Sequence, residues 1–347
     1  MPGDDVPARS EPKTLLPRRH GPWIVTAVIL GIPAIITMIG VATSPPMSNV
    51  PTGRILYLDA DQPSEKTTML HGLYSVGTDT RERLITREQE PQDVDAGARE
   101  WIIEPVCSPD GKSVAYLKEV IVLIEEKQSV DNQIWVADAT TTSPIAGKML
   151  VDLTAKHLDQ VTGLAWSPDG KSVAFMEGAS LYTVDSQSGK LSTTPVELND
   201  EPYNRNGVSE TALAGYASPT EPVVYYDDLR EAYFGTYTVD HADAVAPDLA
   251  TGEVAFAANK PYPEITVLAP NGAKRTYKAE YGWSIFGGRR ITSVRWSPDG
   301  RYVGYTVSKP PIAENEMFYL DMQTGKCFKL AFRCGPAAWT WSAEPSH

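Results

Sequence analysis

The sequence predicts an all-β protein, a six-bladed β-propeller preceded by one transmembrane helix, from three observations. A ten-residue pattern is written three times, as CSPDGKSVAY (107–116), WSPDGKSVAF (166–175) and WSPDGRYVGY (296–305). Pro and Gly, 28 and 26 residues, punctuate the chain rather than gathering in one tract, and helix-length apolar periodicity is scarce. Residues 23–43, WIVTAVILGIPAIITMIGVAT, carry no charged side chain.

The uncharged segment 23–43 comes first in the organisation of the chain. At helical rise its 21 residues span a bilayer's hydrocarbon core. Lys13, Arg18 and Arg19 precede it, so the positive-inside bias places residues 1–22 in the cytoplasm and everything after residue 43 outside. Pro33 kinks such a helix without excluding it. A cleaved signal peptide is the alternative, but the run exceeds the usual apolar region and no Ala-x-Ala follows it. The linker SPPMSNVPT (44–52) keeps the remainder within roughly 30 Å of the bilayer, at about 3.3 Å per residue.

From residue 53 to 347 the repeat organises the chain. Each copy places an apolar stretch ending in Trp or Cys before Ser-Pro-Asp-Gly and an alternating strand after it. Pro presets φ and Gly accepts positive φ, so the four residues form a tight turn and each copy is a hairpin. Further alternating strands follow, such as QIWVADA (133–139), SLYTVDS (180–186) and MFYLDMQ (317–323), each ahead of a Gly turn and a fourth strand. Four antiparallel strands per unit describe a propeller blade. DAVAPDLATGEVAFAAN (243–259) is a weaker copy, with Ala-Pro-Asp for Ser-Pro-Asp, and GYASPTEPVVYYDD (215–228) is weaker still. Ser218 to Ala246 spans only 28 residues, so that blade is expected to lack its outer strand or to be misplaced, and five blades is the fallback count.

The two ends complete one another. AAWTWSAEPSH (337–347) opens a blade with a single strand, while GRILYLDAD (53–61), GLYSVGTDT (72–80) and RERLIT (81–86) read as strands two to four with no strand one. Pairing of the C-terminal strand with the N-terminal blade closes the ring and removes exposed sheet edges. These residues resemble the TolB-like propeller repeat, which also forms the propeller domain of prolyl-oligopeptidase-type peptidases. The resemblance covers nearly all of 53–347 and implies the fold more firmly than a function. A membrane segment stands where TolB carries an α/β domain, and no length remains for a hydrolase domain.

Net charge is −13 overall and −14 after residue 43, which argues against a nucleic-acid partner, since phosphate binding needs clustered Lys and Arg. No Gly-x-Ser-x-Gly, His-Glu-x-x-His or Cys-x-x-Cys occurs, so no catalytic residue is assigned. Asp110, Asp169 and Asp299 read as turn carboxylates rather than metal ligands. His71, His157 and His241 fall in different blades and could meet only in the central channel, the premise of an enzyme reading as a metal-assisted lyase or hydrolase on an extracellular polymer. No cofactor is expected; a structural calcium ion in the channel is the alternative. Cys107 fills the slot of Trp166 and Trp296 as a core residue. Cys327 and Cys334 are close enough in sequence for a disulfide, the alternative being two free buried thiols.

Loop lengths carry more than motifs. The Ser-Pro-Asp-Gly face is mostly trimmed, while the opposite face holds the end of 118–132, then 199–210, 260–264, 279–290 and 308–316. On it Trp283, Phe286, Arg289 and Arg290 form the first candidate binding cluster, and Tyr203 and Arg205 the second, because aromatic and Arg side chains anchor protein interfaces. The bland reading has Trp283 and Phe286 folding back to pin a long loop. EVIVLIEE (119–126) is expected to extend blade strands. The sequence thus predicts a membrane-anchored, extracytoplasmic, non-catalytic propeller that binds a protein partner in or near the membrane. The enzyme reading is the first alternative and a ligand-sensing domain the second.

Overall fold

The computed structural model describes residues 50–60, 71–79, 81–87, 99–124, 127–141, 147–158, 161–178, 180–195, 211–226, 231–234, 237–239, 242–259, 262–280, 289–309, 314–335 and 338–344. All of them fall in the compact unit Pro46–His347. The apolar segment 23–43 lies outside the described residues, and among these no helix is long and apolar enough to cross a membrane.

The described strands form an all-β propeller of six four-stranded antiparallel sheets. The first holds β1 (Arg54–Ala60), β2 (His71–Gly77) and β3 (Glu82–Arg87). The second holds β4 (Arg99–Cys107), β5 (Ser113–Ile124), β6 (Lys127–Asp138) and β7 (Lys148–Asp152). Next come β8 (Thr162–Trp166), β9 (Ser172–Glu177), β10 (Ser180–Asp185) and β11 (Leu191–Pro195), then β12 (Thr211–Ser218), β13 (Glu221–Tyr226), β14 (Glu231–Phe234) and β15 (Tyr237–Val239). The fifth sheet is β16 (Ala244–Pro247), β17 (Val254–Ala258), β18 (Glu264–Leu268) and β19 (Lys274–Lys278). The sixth is β20 (Arg290–Trp296), β21 (Tyr302–Lys309), β22 (Glu314–Asp321) and β23 (Lys326–Gly335). The last strand, β24 (Trp339–Ser342), pairs with β1 from Arg54↔Ser342 to Tyr57↔Trp339 and becomes the first strand of the first sheet. The expected closure is therefore present. Inner strands β4, β8, β12, β16, β20 and β24 touch in succession, and β24 touches β4 in turn, so they ring one channel.

The Ser-Pro-Asp-Gly turn shows why the pattern recurs. In each copy the Ser Oγ donates to the Asp carboxylate, at 2.6 Å for Ser108–Asp110, 2.7 Å for Ser167–Asp169 and 2.6 Å for Ser297–Asp299. The same hydroxyl accepts the amide of Ser113, Ser172 or Tyr302, and the Asp accepts the amide of Lys112, Lys171 or Arg301. Gly111, Gly170 and Gly300 sit at φ +71°, +69° and +65°, where a side chain would be strained. These Asp residues are scaffold, as the sequence predicts.

The two weak copies of the repeat differ from what the sequence predicts. The sheet over 211–239 does not lack an outer strand; β14 and β15 are merely short, four and three residues. In the fifth sheet the turn is displaced by two residues from the sequence reading. Asp248, not Ala246, has the backbone bond of the turn serine, its amide reaching Glu253 O at 2.7 Å as Ser108 reaches Ser113 O at 2.8 Å. Gly252 N closes on Asp248 O, the same Asp-x-x-x-Gly turn that Asp185–Gly189 and Asp321–Gly325 form between outer strands. One turn type has replaced another at an inner hairpin.

Packing is between sheets. Trp166 and Trp296 are 8% and 7% exposed, and each indole N–H donates at 3.0 Å to the inner strand of the preceding sheet, to Val106 O and Ala246 O respectively. Cys107 holds the equivalent position and bonds locally to Ser113 O at 3.3 Å, while burial pushes its thiol pKa up to about 11. At the closure, buried Arg54 donates to Ser75 Oγ at 2.5 Å and to Ala139 O at 3.2 Å, tying the first sheet to the second.

Candidate functional site

Two features of this scaffold are not required by it. One is a projection from the second sheet. Strands β5 and β6 are twelve residues each, against six for β9 and β10, and pair from Ser113↔Asp138 out to Ile124↔Lys127. The run EVIVLIEE thus extends blade strands as its alternation predicts, and β4 follows it by pairing Arg99 with Ile121. Register puts Trp101, Ile121 and Val130 on one face of this extension. Trp101 is 45% exposed and Val130 39%. The opposite face is braced by Lys118, which pairs with Glu100 at 2.7 Å and lies over the Trp135 ring at 4.4 Å. The extension rises from the long-loop face.

The other feature lies in the channel. Glu104 on β4 occupies a bulge between Ile103 and Val106 with φ +49°, one of two non-Gly residues of positive φ among those described. The amides of Leu164 and Gly163 on β8 serve its carboxyl group, yet one carboxyl oxygen, Oε2, is buried with no hydrogen-bond partner. Arg295 on β20 is the main charge felt by Glu104, and Glu104 the charge felt by Arg295, although β24 stands between their strands in the ring. The pair therefore belongs to inner strands of the one ring, with a single strand between them. Both residues keep some accessible surface while enclosed by protein, the condition of a channel wall. Burial raises the Glu104 pKa against the pull of Arg295 and the two amides, and burial lowers that of Arg295 against the pull of Glu104.

The residues expected from sequence fare unevenly. Trp283, Phe286, Tyr203 and Arg205 lie outside the described residues. Arg290 is exposed at the start of β20, whereas Arg289 beside it is buried at 9% and is not the exposed anchor that was expected. His157 is exposed at φ +59° after a 3-10 turn (Thr154–Lys156) that packs on β6, the third strand outward. It therefore does not face the channel, and the three-histidine arrangement does not form. The side chains of His71 and His241 are not among those described. Among the described residues no three His, Cys, Asp or Glu side chains gather as metal ligands would. Cys327 is a free thiol opposite Leu320, and the side chain of Cys334, the other half of the expected pair, is not among those described.

Sequence reasoning missed Glu104 and Arg295, although the repeat contains the signal. Aligned on the turn serine, Glu104 matches Gly163, Ser293 and Ala338, and Arg295 matches Val106, Ala165 and Thr340.

The closed ring of radial sheets and its hairpin repeat define a β-propeller of TolB-like fold. The structure is similar to TolB from Acinetobacter baumannii, with a TM-score of 0.51 and 16% identity over 84% of this chain and 67% of that one. It also matches the β-propeller domain of the trilobed protease from Pyrococcus furiosus, at a TM-score of 0.44 and 14% identity over 81% of this chain and 100% of that one. An oligogalacturonate lyase in complex with manganese matches at 0.39 and 13% identity, over 81% and 74%. No protein-family model matches the chain, and no curated protein does.

Proposed function

We propose that the six sheets act as blades of a rigid, non-catalytic propeller that binds a protein partner, held outside the cytoplasm by residues 23–43 as a membrane anchor. The observation that carries this reading is the blade-two projection, a braced three-stranded sheet presenting Trp101, Ile121 and Val130 beyond the ring. An exposed Trp beside aliphatic residues on a rigid element is the usual anchor of an interface. On the sequence reading Trp283, Phe286, Arg290, Tyr203 and Arg205 come from loops of the same face and would form the rim of that contact. Likeness to TolB supports the fold on which this reading is built. The anchor rests on the uncharged run and its basic flank.

The test is capture of the full-length protein from gently solubilised membranes, comparing wild type with Trp101→Ala. A partner that is retained by wild type and lost from a Trp101→Ala protein of unchanged thermal midpoint supports the projection as the contact. The same partner retained by both proteins sinks the projection as the contact, and an empty wild-type capture sinks the protein-binding reading itself. Release of the protein by carbonate washing would remove the anchor.

A further inference from the structure

Glu104 is placed where stability alone would not put it. A non-Gly residue at φ +49° is strained, and the equivalent position in the next sheet is Gly163 at φ +66°. Its burial opposes its charge, and Oε2 lacks a donor. Arg295 repeats the anomaly, a guanidinium where the matching residues are Val106, Ala165 and Thr340. Each is the sole charged residue among its aligned equivalents, and the two fall on inner strands of one ring with only β24 between them. Two independent departures from the repeat that converge on one place are the mark of a built site.

We propose that the channel binds a small zwitterion of the amino-acid class, its ammonium on Glu104 and its carboxylate on Arg295. No direct ion pair joins the two side chains, so each is open to a partner of opposite charge. The choice of ligand follows from their opposed signs. A lone anion gains Arg295 and is repelled by Glu104; a lone cation meets the reverse. A molecule carrying both charges satisfies both ends and leaves the net charge of the channel unchanged. Its N–H groups also supply the donor that Oε2 lacks, and its carboxylate can take the planar fork of Arg295. Arg295 already donates one N–H to its own neighbour Val294 O at 2.8 Å, which fixes the guanidinium plane before a ligand arrives. This site is independent of the protein-binding projection, and either can fail without the other.

The experiment is calorimetric titration of the full-length protein in detergent with glycine, β-alanine and γ-aminobutyrate, which step the distance between the two charges. Acetate and methylammonium serve as single-charge controls. One zwitterion is expected to bind and both controls to fail. Glu104→Gln and Arg295→Gln should each weaken that binding about tenfold or more, as loss of a charge-assisted contact does. Because a charge left alone in the channel could unfold either variant, Glu104→Gly is the safeguard. It installs the residue of the neighbouring sheet at a backbone angle glycine favours, and it should fold yet not bind. Binding by none of the three zwitterions overturns the proposal, as does binding of acetate or methylammonium as tight as theirs, or binding that survives in Glu104→Gly.

Discussion

The indole N–H of Trp296 meets the carbonyl of Ala246 at 3.0 Å, a bond between neighbouring sheets that Trp166 repeats with Val106. The propeller is therefore held by polar pins as well as by apolar packing. Replacing Trp296 with Phe keeps most of the ring's bulk but strands a buried carbonyl. The expected loss is about 1–3 kcal/mol in urea unfolding. Trp101→Phe, on the exposed projection, should cost under about 0.5 kcal/mol. Equal losses in the two variants would show that the pin contributes nothing.

The inner turns make acid the vulnerable side of the stability curve. Hydrogen bonds from the Ser108 hydroxyl and the Lys112 amide hold Asp110 below its usual 3.8, and those from the Ser167 hydroxyl and the Lys171 amide hold Asp169 there too. A carboxylate depressed in the folded state stabilises above its unfolded pKa and loses that contribution as pH falls through the folded one. Stability should therefore drop below about pH 4, and Asp110→Asn combined with Asp169→Asn should flatten that limb. An unchanged acid limb in the double variant would remove these turns as its cause.

Glu104 has the opposite sign. Its folded pKa is raised above 4.5, chiefly by burial, so the stability it contributes is full below 4.5 and declines as pH rises through the folded value. The stability difference between wild type and Glu104→Gln should move against wild type as pH is raised from 4.5 towards neutrality. Denaturant titrations across that range measure it. A pH-independent difference would mean that Glu104 does not titrate differently on folding.

Arg54 secures the closure through Ser75 and Ala139. Arg54→Met keeps the aliphatic stem but removes both donors, and should cost about 1–3 kcal/mol. Ser75→Ala should cost less in that background than in wild type, because the partner is already gone. Additive losses would mean that the two residues do not interact.

Much of the fold was legible because its determinants are local. Ser-Pro-Asp-Gly fixes a hairpin by itself, and the orphan strand WTWS could be matched to the missing first strand by inspection. The fifth sheet misled because Ala-Pro-Asp looks like the repeat, while the backbone uses Asp248 in a different turn with the same closing function. Sites were less legible. Arg289 was chosen for its side-chain type, but burial depends on what packs over it. Glu104 and Arg295 are 191 positions apart, and only ring closure brings them to one channel.

Trp341 donates to the Thr52 carbonyl across 289 positions, and this separation sets an order of assembly. At a synthesis rate of about 5–20 residues per second, roughly 15 to 60 s pass between the emergence of Thr52 and that of Trp341. The five sheets from β4 to β23 are each contiguous in sequence and can form as they appear. The strands β1 to β3 must wait, with the edge of β1 unpaired, until translation supplies their fourth member. During that interval the nascent chain carries an open β edge, the moment at which a holdase or a premature stop would decide its fate.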